Sequence, residues 1–349
     1  MRARAAGVLW VGGFTLLLGL FIIAGVVLGE TPVAWADLRQ VILYAVGLQE
    51  GPVNEVPYAI IVQIRLPQVL CGALVGGALA LAGTMLQGLF RNPLAAPGLI
   101  GVTAGGAFGA VVAYHTGLAA ASLMAVPASA FAGALVVAFV VYRVATRGGE
   151  THIPTLLLTG IAFTALIGAA TSAVLALSLR SWEVAREILF WSLGGLEDRR
   201  WEHVLMVLPP VVLGSGGGLL YARELNILTL GDRTAATLGV ETAAVKRNVL
   251  VLAALATGAA VAVAGVIGFV GLVVPHIMRL LVGPDHRRLL PVSFLGGAVF
   301  VVGMDLLHRT LIRGILNAPE MRLGVLTGLV GAPFFIYLLI KQGFDGHLE

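Results

Sequence analysis

The sequence predicts an all-α integral membrane protein with about ten transmembrane helices, one of them short or broken. Of its 349 residues, 58% are hydrophobic and only 11% are charged, and the mean hydropathy is +0.97. Soluble domains carry about a quarter charged residues, so this composition excludes an ordinary soluble enzyme or nucleic-acid-binding domain. The single cysteine, Cys71, excludes an internal disulfide. We predict one transmembrane domain over residues 1–349.

Apolar runs long enough to cross a bilayer recur along the chain. Residues 7–29 follow a basic flank and exceed the core of a usual signal peptide, so we predict a retained first span. Residues 66–90 carry no charge between Arg65 and Arg91. As a helix they would measure about 37 Å, enough to cross a hydrocarbon core of ~30 Å with some tilt. Further runs cover residues 93–114, 117–142, 154–179, 204–221, 248–275, 289–304 and 323–340.

One apolar stretch is too long for a single straight span. Residues 248–282 hold only two ionisable side chains, and as one helix they would extend about 52 Å. Glycines and a proline between residues 265 and 275 indicate where this helix breaks. Broken backbone at membrane depth is tolerated only where protein buries it or where it lines a cavity. We therefore predict ten helices, with both termini on the same side of the membrane.

Glycines are also spaced for close helix packing. Gly101, Gly105 and Gly109 lie at intervals of four within the run that follows residue 93. Such glycines share one helix face and let a second helix approach closely in lipid.

The basic residues predict the orientation. With the amino terminus in the cytoplasm, thirteen of the 22 Lys and Arg residues fall on cytoplasmic segments and nine fall outside. Positive charge is usually enriched on the cytoplasmic side. We therefore predict a multi-pass protein of the cell membrane with both termini in the cytoplasm.

A polar cytoplasmic segment over residues 222–247 reads ARELNILTLGDRTAATLGVETAAVKR. Its Gly-Asp pair is a helix-start signal. The apolar positions that follow are Ala235, Leu238 and Val240. The pattern favours a short amphipathic helix that docks a partner at the membrane surface, over a purely solvated loop.

No catalytic motif occurs in the sequence. The chain lacks the G-x-x-x-x-G-K-[ST] pattern of a P-loop, and it has only two lysines, Lys246 and Lys341. It also lacks H-E-x-x-H and paired-cysteine ligand sets. We expect no catalytic residue, no metal site and no cofactor, and we expect a partner to hydrolyse any ATP.

A gradient-driven secondary transporter would need buried ionisable side chains. Asp305 is the best candidate, but Arg309 follows four residues later and a helical ion pair explains both more simply. We therefore disfavour this alternative. A membrane-embedded enzyme is the third possibility, and no cluster of catalytic residue types supports it.

Four blocks carry a family resemblance. They read RLPQVL…AGTMLQGLFRNPLAAPGLIGVTAGGAFG, LGDRTAATLGV, GVIGFVGLVVPHIMRLLVGPDHRRLLP and LTGLVGAPFFIYLL. In this order they closely resemble the membrane permease subunit of type II ABC importers, the permeases for iron–siderophore complexes, haem and cobalamin. The resemblance runs from about Arg65 to the carboxyl terminus. It implies a homodimer with the path on its two-fold axis, two cytoplasmic ATPase subunits, and a periplasmic or lipid-anchored substrate-binding protein.

The resemblance also implies roles for individual residues. Arg65 and Arg309 match outward arginines that pair with glutamates of the binding protein. Gln68 stands where a second arginine is common, and residues 320–324, EMRLG, depart from the usual Glu-Leu-Pro-x-Gly, so Arg322 is a candidate replacement for the lost charge. The segment that couples to the ATPase matches Gly231, Asp232, Ala235, Leu238, Gly239 and Val240.

By the same resemblance the fifth and tenth spans line the translocation path. Candidate lining or gate residues are Thr155, Thr159, Gly160 and Ala162, with ordinary small-residue packing as the alternative for each. A path of small and apolar side chains suits the release of a large ligand. We predict ATP-driven import of an iron chelate, siderophore or haem, by alternating access, with cobalamin as the alternative cargo.

Overall fold

The computed structural model describes residues 2–29, 31–45, 47–48, 54–313, 316 and 321–345. These residues are largely helical, with one antiparallel pair of two-residue strands, β1 (Thr146–Arg147) and β2 (Glu150–Thr151). The helices are α1 (Arg2–Val27), α2 (Trp35–Ala45), α3 (Glu55–Tyr58), α4 (Leu66–Phe90), α5 (Val102–His115), α6 (Ala125–Ala145), α7 (Ile153–Ser178), α8 (Trp182–Ser192), α9 (Trp201–Leu220), α10 (Ala222–Leu228), α11 (Asp232–Thr237), α12 (Thr242–Ala264), α13 (Val270–Val282), α14 (His286–Leu307) and α15 (Leu323–Asp345). Two π-helical turns, Ala59–Arg65 and His308–Arg313, and two 3-10 turns, Pro97–Ile100 and Leu118–Ala120, complete the helical structure.

Seven of the described helices are long and apolar enough to cross a membrane. They belong to α1, α4, α6, α7, α9, α12 and α14. Three shorter helices accompany them: α5, with 14 residues, and the apolar helices α13 and α15. The remaining three of the ten predicted crossings stay a prediction. The prediction of an all-α membrane protein is therefore confirmed.

The helix α4 forms the centre of the bundle, and nearly all of its side chains are buried. It meets α14 where Gly76 faces Gly297. A Cβ added to either glycine would lie 2.2 Å from the other glycine's carbonyl oxygen. Only glycine allows two backbones to approach this closely, which is how helices associate without a hydrophobic driving force between them.

The predicted break in the long apolar stretch lies between α12 and α13. Gly265 has a φ of +66° and Phe269 has a φ of +65°, a left-handed conformation that is uncommon outside glycine. Other segments approach this backbone. The amide of Gly195 donates to Ala264 at 2.8 Å, and Cβ atoms added to Gly194 and Gly324 would lie 2.2 Å and 2.7 Å from the Val266 carbonyl oxygen. Gly265 and Ile267 are buried and the other three residues of the break are half-buried, so protein covers much of the broken backbone.

Pro275 was predicted to contribute to this break, but it lies inside α13. A proline nitrogen cannot donate to the carbonyl four residues earlier, which here belongs to Gly271. That carbonyl points at α4, where a Cβ added to Gly83 would lie 1.8 Å from its oxygen. Pro275 thus frees a carbonyl at the contact between two buried helices.

The glycine triplet that was predicted to share one helix face is divided. Gly101 precedes α5 as its N-cap with a φ of +76°. Gly105 and Gly109 do face α6, where added Cβ atoms would lie 2.5 Å from the Gly133 carbonyl and 2.2 Å from the Ser129 carbonyl. Residues 93–100, predicted as part of the span, form turns because two prolines interrupt the helical hydrogen bonding.

The glycine contact between α4 and α14 gives a first testable prediction. Gly76→Val should lower the free energy of unfolding by about 1–3 kcal/mol or more, because its side chain must push the Gly297 backbone away. Thermal unfolding of the purified protein in detergent measures this loss. Gly12→Val is the matched control, since a Cβ at Gly12 meets nothing within 4 Å. Equal stability of the two variants would contradict the assigned contact.

Candidate functional site at the two ends of the bundle

The helix α4 separates two groups of candidate functional residues. Arg65 precedes its first residue, and Arg91 follows its last. A helix of 25 residues spans about 37 Å, so the two arginines lie at opposite ends of the bundle. We call these ends the Arg65 face and the Arg91 face.

The helix α11 lies at the Arg91 face, because its first residue, Asp232, pairs with Arg91. Ala235 is fully buried and Val240 packs against the core, so these two predicted coupling residues attach α11 to its own chain. Leu238 is 59% exposed, and Gly239 beside it is exposed with a φ of +82°. The predicted surface helix is thus real but short, and its segment contains α10 as well as the first turn of α12.

Asp232 makes two ion pairs at the start of α11. Its Oδ2 lies 2.6 Å from the ammonium nitrogen of Lys246, near the start of α12, and its Oδ1 lies 3.7 Å from Nη2 of Arg91. The Lys246 side chain is only 10% exposed. A buried ammonium is costly without a partner, so this pair holds α11 against α12. Gly231 precedes Asp232 as the N-cap, with a φ of +106° that favours glycine.

A second network at the Arg91 face joins α10 to the start of α14. Asn226 donates to Asp285 at 2.6 Å and accepts from the backbone N–H of His286 at 2.9 Å. Asp285 caps α14 by accepting from the Arg287 amide at 3.0 Å. Burial opposes ionisation of Asp285, but these hydrogen bonds and the nearby arginines outweigh it, so the pKa of Asp285 lies below its ordinary value.

Arg65 is buried and caps α1. Its guanidinium donates to the carbonyls of Val26 at 3.1 Å and Val27 at 2.8 Å, and also to that of Thr31. Carbonyls at the end of a helix have no partner within the helix, and an arginine satisfies several at once. Sequence reasoning gave Arg65 an outward role and did not identify this one.

Asp305 and Arg309 form the predicted ion pair, with 2.9 Å between Oδ2 and Nη2. Both are nearly fully buried at the end of the span that lies near the Arg65 face. Gln68 donates to Oδ1 of Asp305 at 2.9 Å, and Arg309 donates to the Gly25 carbonyl at 3.1 Å. Gln68 stands where the family commonly has a second arginine, and here it gives the buried Asp305 carboxylate a second side-chain partner.

Arg322 contacts its own chain at the Arg65 face. Its guanidinium lies 2.9 Å from the Glu197 carboxylate and 4.6 Å from the ring centroid of Phe190. Glu197 also approaches His308 at 3.9 Å. Arg322 has a 23% exposed side chain, against 6% for Arg309. Glu320, the first residue of the EMRLG segment that contains Arg322, lies outside the described residues.

The four path candidates on α7 differ in their surroundings. Thr155 and Ala162 are exposed, and Thr159 is half-buried. Gly160 is buried against the Pro97–Ile100 turn, where an added Cβ would lie 2.0 Å from the Leu99 carbonyl oxygen. Gly160 therefore serves helix packing, and the lining role of the other three stays a prediction.

These features define a multi-pass membrane subunit with polar networks at its two ends. The sequence profile of the FecCD transport family matches residues 16–341, and the chain belongs to this family. It is a permease of the ABC importer class, and its family is one of permease subunits rather than enzymes.

Known relatives support this assignment. The cobalamin import system permease protein of Halobacterium salinarum is 48% identical over 314 residues, covering 90% of this chain and 81% of that protein. The hemin transport system permease protein of Yersinia pestis is 43% identical over 297 residues, covering 83% and 85%. A solved structure described as an inward-facing metal-chelate type ABC transporter matches with a TM-score of 0.82 and 32% identity, covering 95% of this chain and 98% of that one.

The buried ion pair gives a second testable prediction. Asp305→Ala should lower the free energy of unfolding by about 3–5 kcal/mol, because it leaves the Arg309 guanidinium buried without a carboxylate. Thermal unfolding in detergent measures the loss, and Glu183→Ala, which removes an exposed carboxylate from a helix, is the control. The double variant Asp305→Leu/Arg309→Met should be more stable than Asp305→Ala. A single variant as stable as the native protein would refute the assigned pairing.

Proposed function

We propose that this chain forms the translocation path of an ATP-driven importer for a metal chelate, either an iron–siderophore complex or haem. Two copies of the chain surround the path. Two ATPase subunits bind the Arg91 face in the cytoplasm, where both termini also lie, and a substrate-binding protein docks on the Arg65 face. Permeases of this class work with such partners, and the relatives' names indicate the class of cargo.

The exposed end of α11 is the observation that carries the ATPase contact. Leu230 and Leu238 flank this helix and are 62% and 59% exposed, although the segment around them is polar. Apolar side chains exposed together beside a helix that is anchored from behind mark an interaction site. Ala235 and Asp232 supply the anchoring, so a partner pressing on Leu238 would move α11 as a unit.

The helix α7 supports the placement of the path. It has 26 residues, yet only Leu156, Gly160 and Ser178 are buried. Lipid covers one side of such a helix, and we assign the small and weakly polar side that includes Thr155 and Ala162 to the path and the second copy. Side chains of this kind bind a passing ligand weakly, which favours release over retention.

The identity of the chelate is argued from the relatives. The Yersinia pestis relative is named for hemin, and a 37% identical relative from Escherichia coli is named for ferric dicitrate. Cobalamin is the second candidate, because the Halobacterium salinarum relative at 48% identity is named for it. All three ligands are metal chelates, so one path whose lining binds its ligand weakly suits each of them.

The docking roles of Arg65, Arg309 and Arg322 stay predictions. Arg65 and Arg309 contact backbone carbonyls of the segment at the end of α1 and are nearly fully buried. Arg322 offers the most accessible guanidinium of the three, so we assign it the first contact with an acidic side chain of the binding protein. A long-range attraction of this kind raises the association rate most at low salt.

Reconstitution gives the third testable prediction. The chain, co-expressed with its partner ATPase, should form a stable complex in liposomes. The ATP hydrolysis rate should rise when the binding protein carries its ligand, and uptake of haem, a ferric siderophore or cobalamin should depend on ATP. Uptake of one ligand identifies the cargo. A chain that associates with no ATPase, or uptake that follows an ion gradient without ATP, would overturn the proposal.

The exposed leucine gives the fourth prediction. Leu238→Asp should abolish co-purification of the ATPase, because it places a charge in the apolar contact. The control is Leu118→Asp, which alters a leucine that is 50% exposed away from α11. Retention of the ATPase by Leu238→Asp, at the level seen for Leu118→Asp, would exclude α11 as the contact.

A further inference from the structure

The carboxylate of Asp232 is the one charged group of α11 for which the described residues show an ion pair with the membrane helices. We propose that Asp232 is a positioning residue that transmits movement of α11 to α4 and α12. The proposal rests on the ATPase contact assigned above. It names the single side chain through which that contact would act on the membrane helices.

The geometry links three elements at one point. Lys246 lies in the first turns of α12, and its ammonium contacts Oδ2 of Asp232 at 2.6 Å. Arg91 ends α4 in a left-handed conformation with a φ of 51°, and its guanidinium lies 3.7 Å from Oδ1. Because each carboxylate oxygen faces a different helix, a displacement of α11 changes both distances together.

The two linked helices are suited to carry such a displacement. They are the most deeply buried of the long apolar spans in the described chain. The helix α12 leads directly to the broken backbone at residues 265–269, and α4 packs against α14 at its glycine contact. Movement at the Arg91 face therefore reaches the interior through rigid, packed helices.

The uncharged contacts that hold α11 against its own chain do not provide the same link. Ala235 and Val240 pack against the core through short, nonpolar surfaces that can slide. An ion pair with a mostly buried ammonium resists separation more strongly, since parting leaves a charge in a poorly solvated site. Asp232 therefore determines the direction in which α11 pulls, and the apolar contacts determine only that it stays attached.

The test measures ligand transported per ATP hydrolysed in liposomes holding the complete complex. Asp232→Asn keeps the shape but removes the charge, and the ratio should fall about tenfold, the factor that about 1.4 kcal/mol produces in a rate. The ATPase should still co-purify and hydrolyse ATP. Asp232→Glu keeps the charge and should retain most of the ratio. Glu241→Gln, which removes an exposed carboxylate from the same segment, should leave the ratio unchanged.

A further variant separates coupling from folding. Asp232→Asn/Lys246→Met removes both members of the pair, so no unpaired ammonium is left to destabilise the chain. This variant should be as stable as the native protein in thermal unfolding and should still be uncoupled. Native coupling in Asp232→Asn or in the double variant, or an equal loss in Glu241→Gln, would overturn the inference. A native chain that forms no ATPase complex would instead overturn the proposed function.

Discussion

The structure depends on the close approach of helix backbones around α4. Glycines at positions 76 and 83 bring α14 and α13 to distances at which a single methyl group would overlap a carbonyl oxygen. Water drives no helix association inside a membrane, so this packing supplies much of the cohesion. The same contacts also explain why α4 is buried on every side, and why the networks at its two ends are rigidly separated.

Two buried ionisable groups at the Arg65 face have partners within the described chain. The Asp305 carboxylate is bound by Arg309 and Gln68, and the guanidinium of Arg65 is bound by backbone carbonyls. A transporter driven by an ion gradient would need such a carboxylate to exchange its partner during each cycle. Here the partner is a permanent cation one helical turn away. These buried charges therefore serve the architecture of the bundle.

The sequence predicts the features that depend on local spacing. Uncharged runs predict the seven long spans, glycines predict the break after α12, and the interval of four predicts the Asp305–Arg309 pair. Contacts between distant positions could not be predicted. Gln68 and Asp305 are 237 residues apart, and Arg279 donates to Gln87 across 192 residues. Hydropathy and periodicity contain no information about which polar side chains meet across a bundle. From the sequence, Gln68 was therefore interpreted as the loss of a docking arginine, and Pro275 as part of a helix break.

The capping of α1 has a consequence for how the bundle can open. Arg65, directly before α4, and Arg309, in the π-helical turn that follows α14, both donate to carbonyls near the end of α1. Hydrogen bonds thereby join one end of α1 to both α4 and the segment after α14. Parting α4 from α14 at that end would strip these carbonyls of their donors in a site without water. The shared donors therefore favour movement of α1, α4 and α14 as one unit during any rearrangement of the bundle.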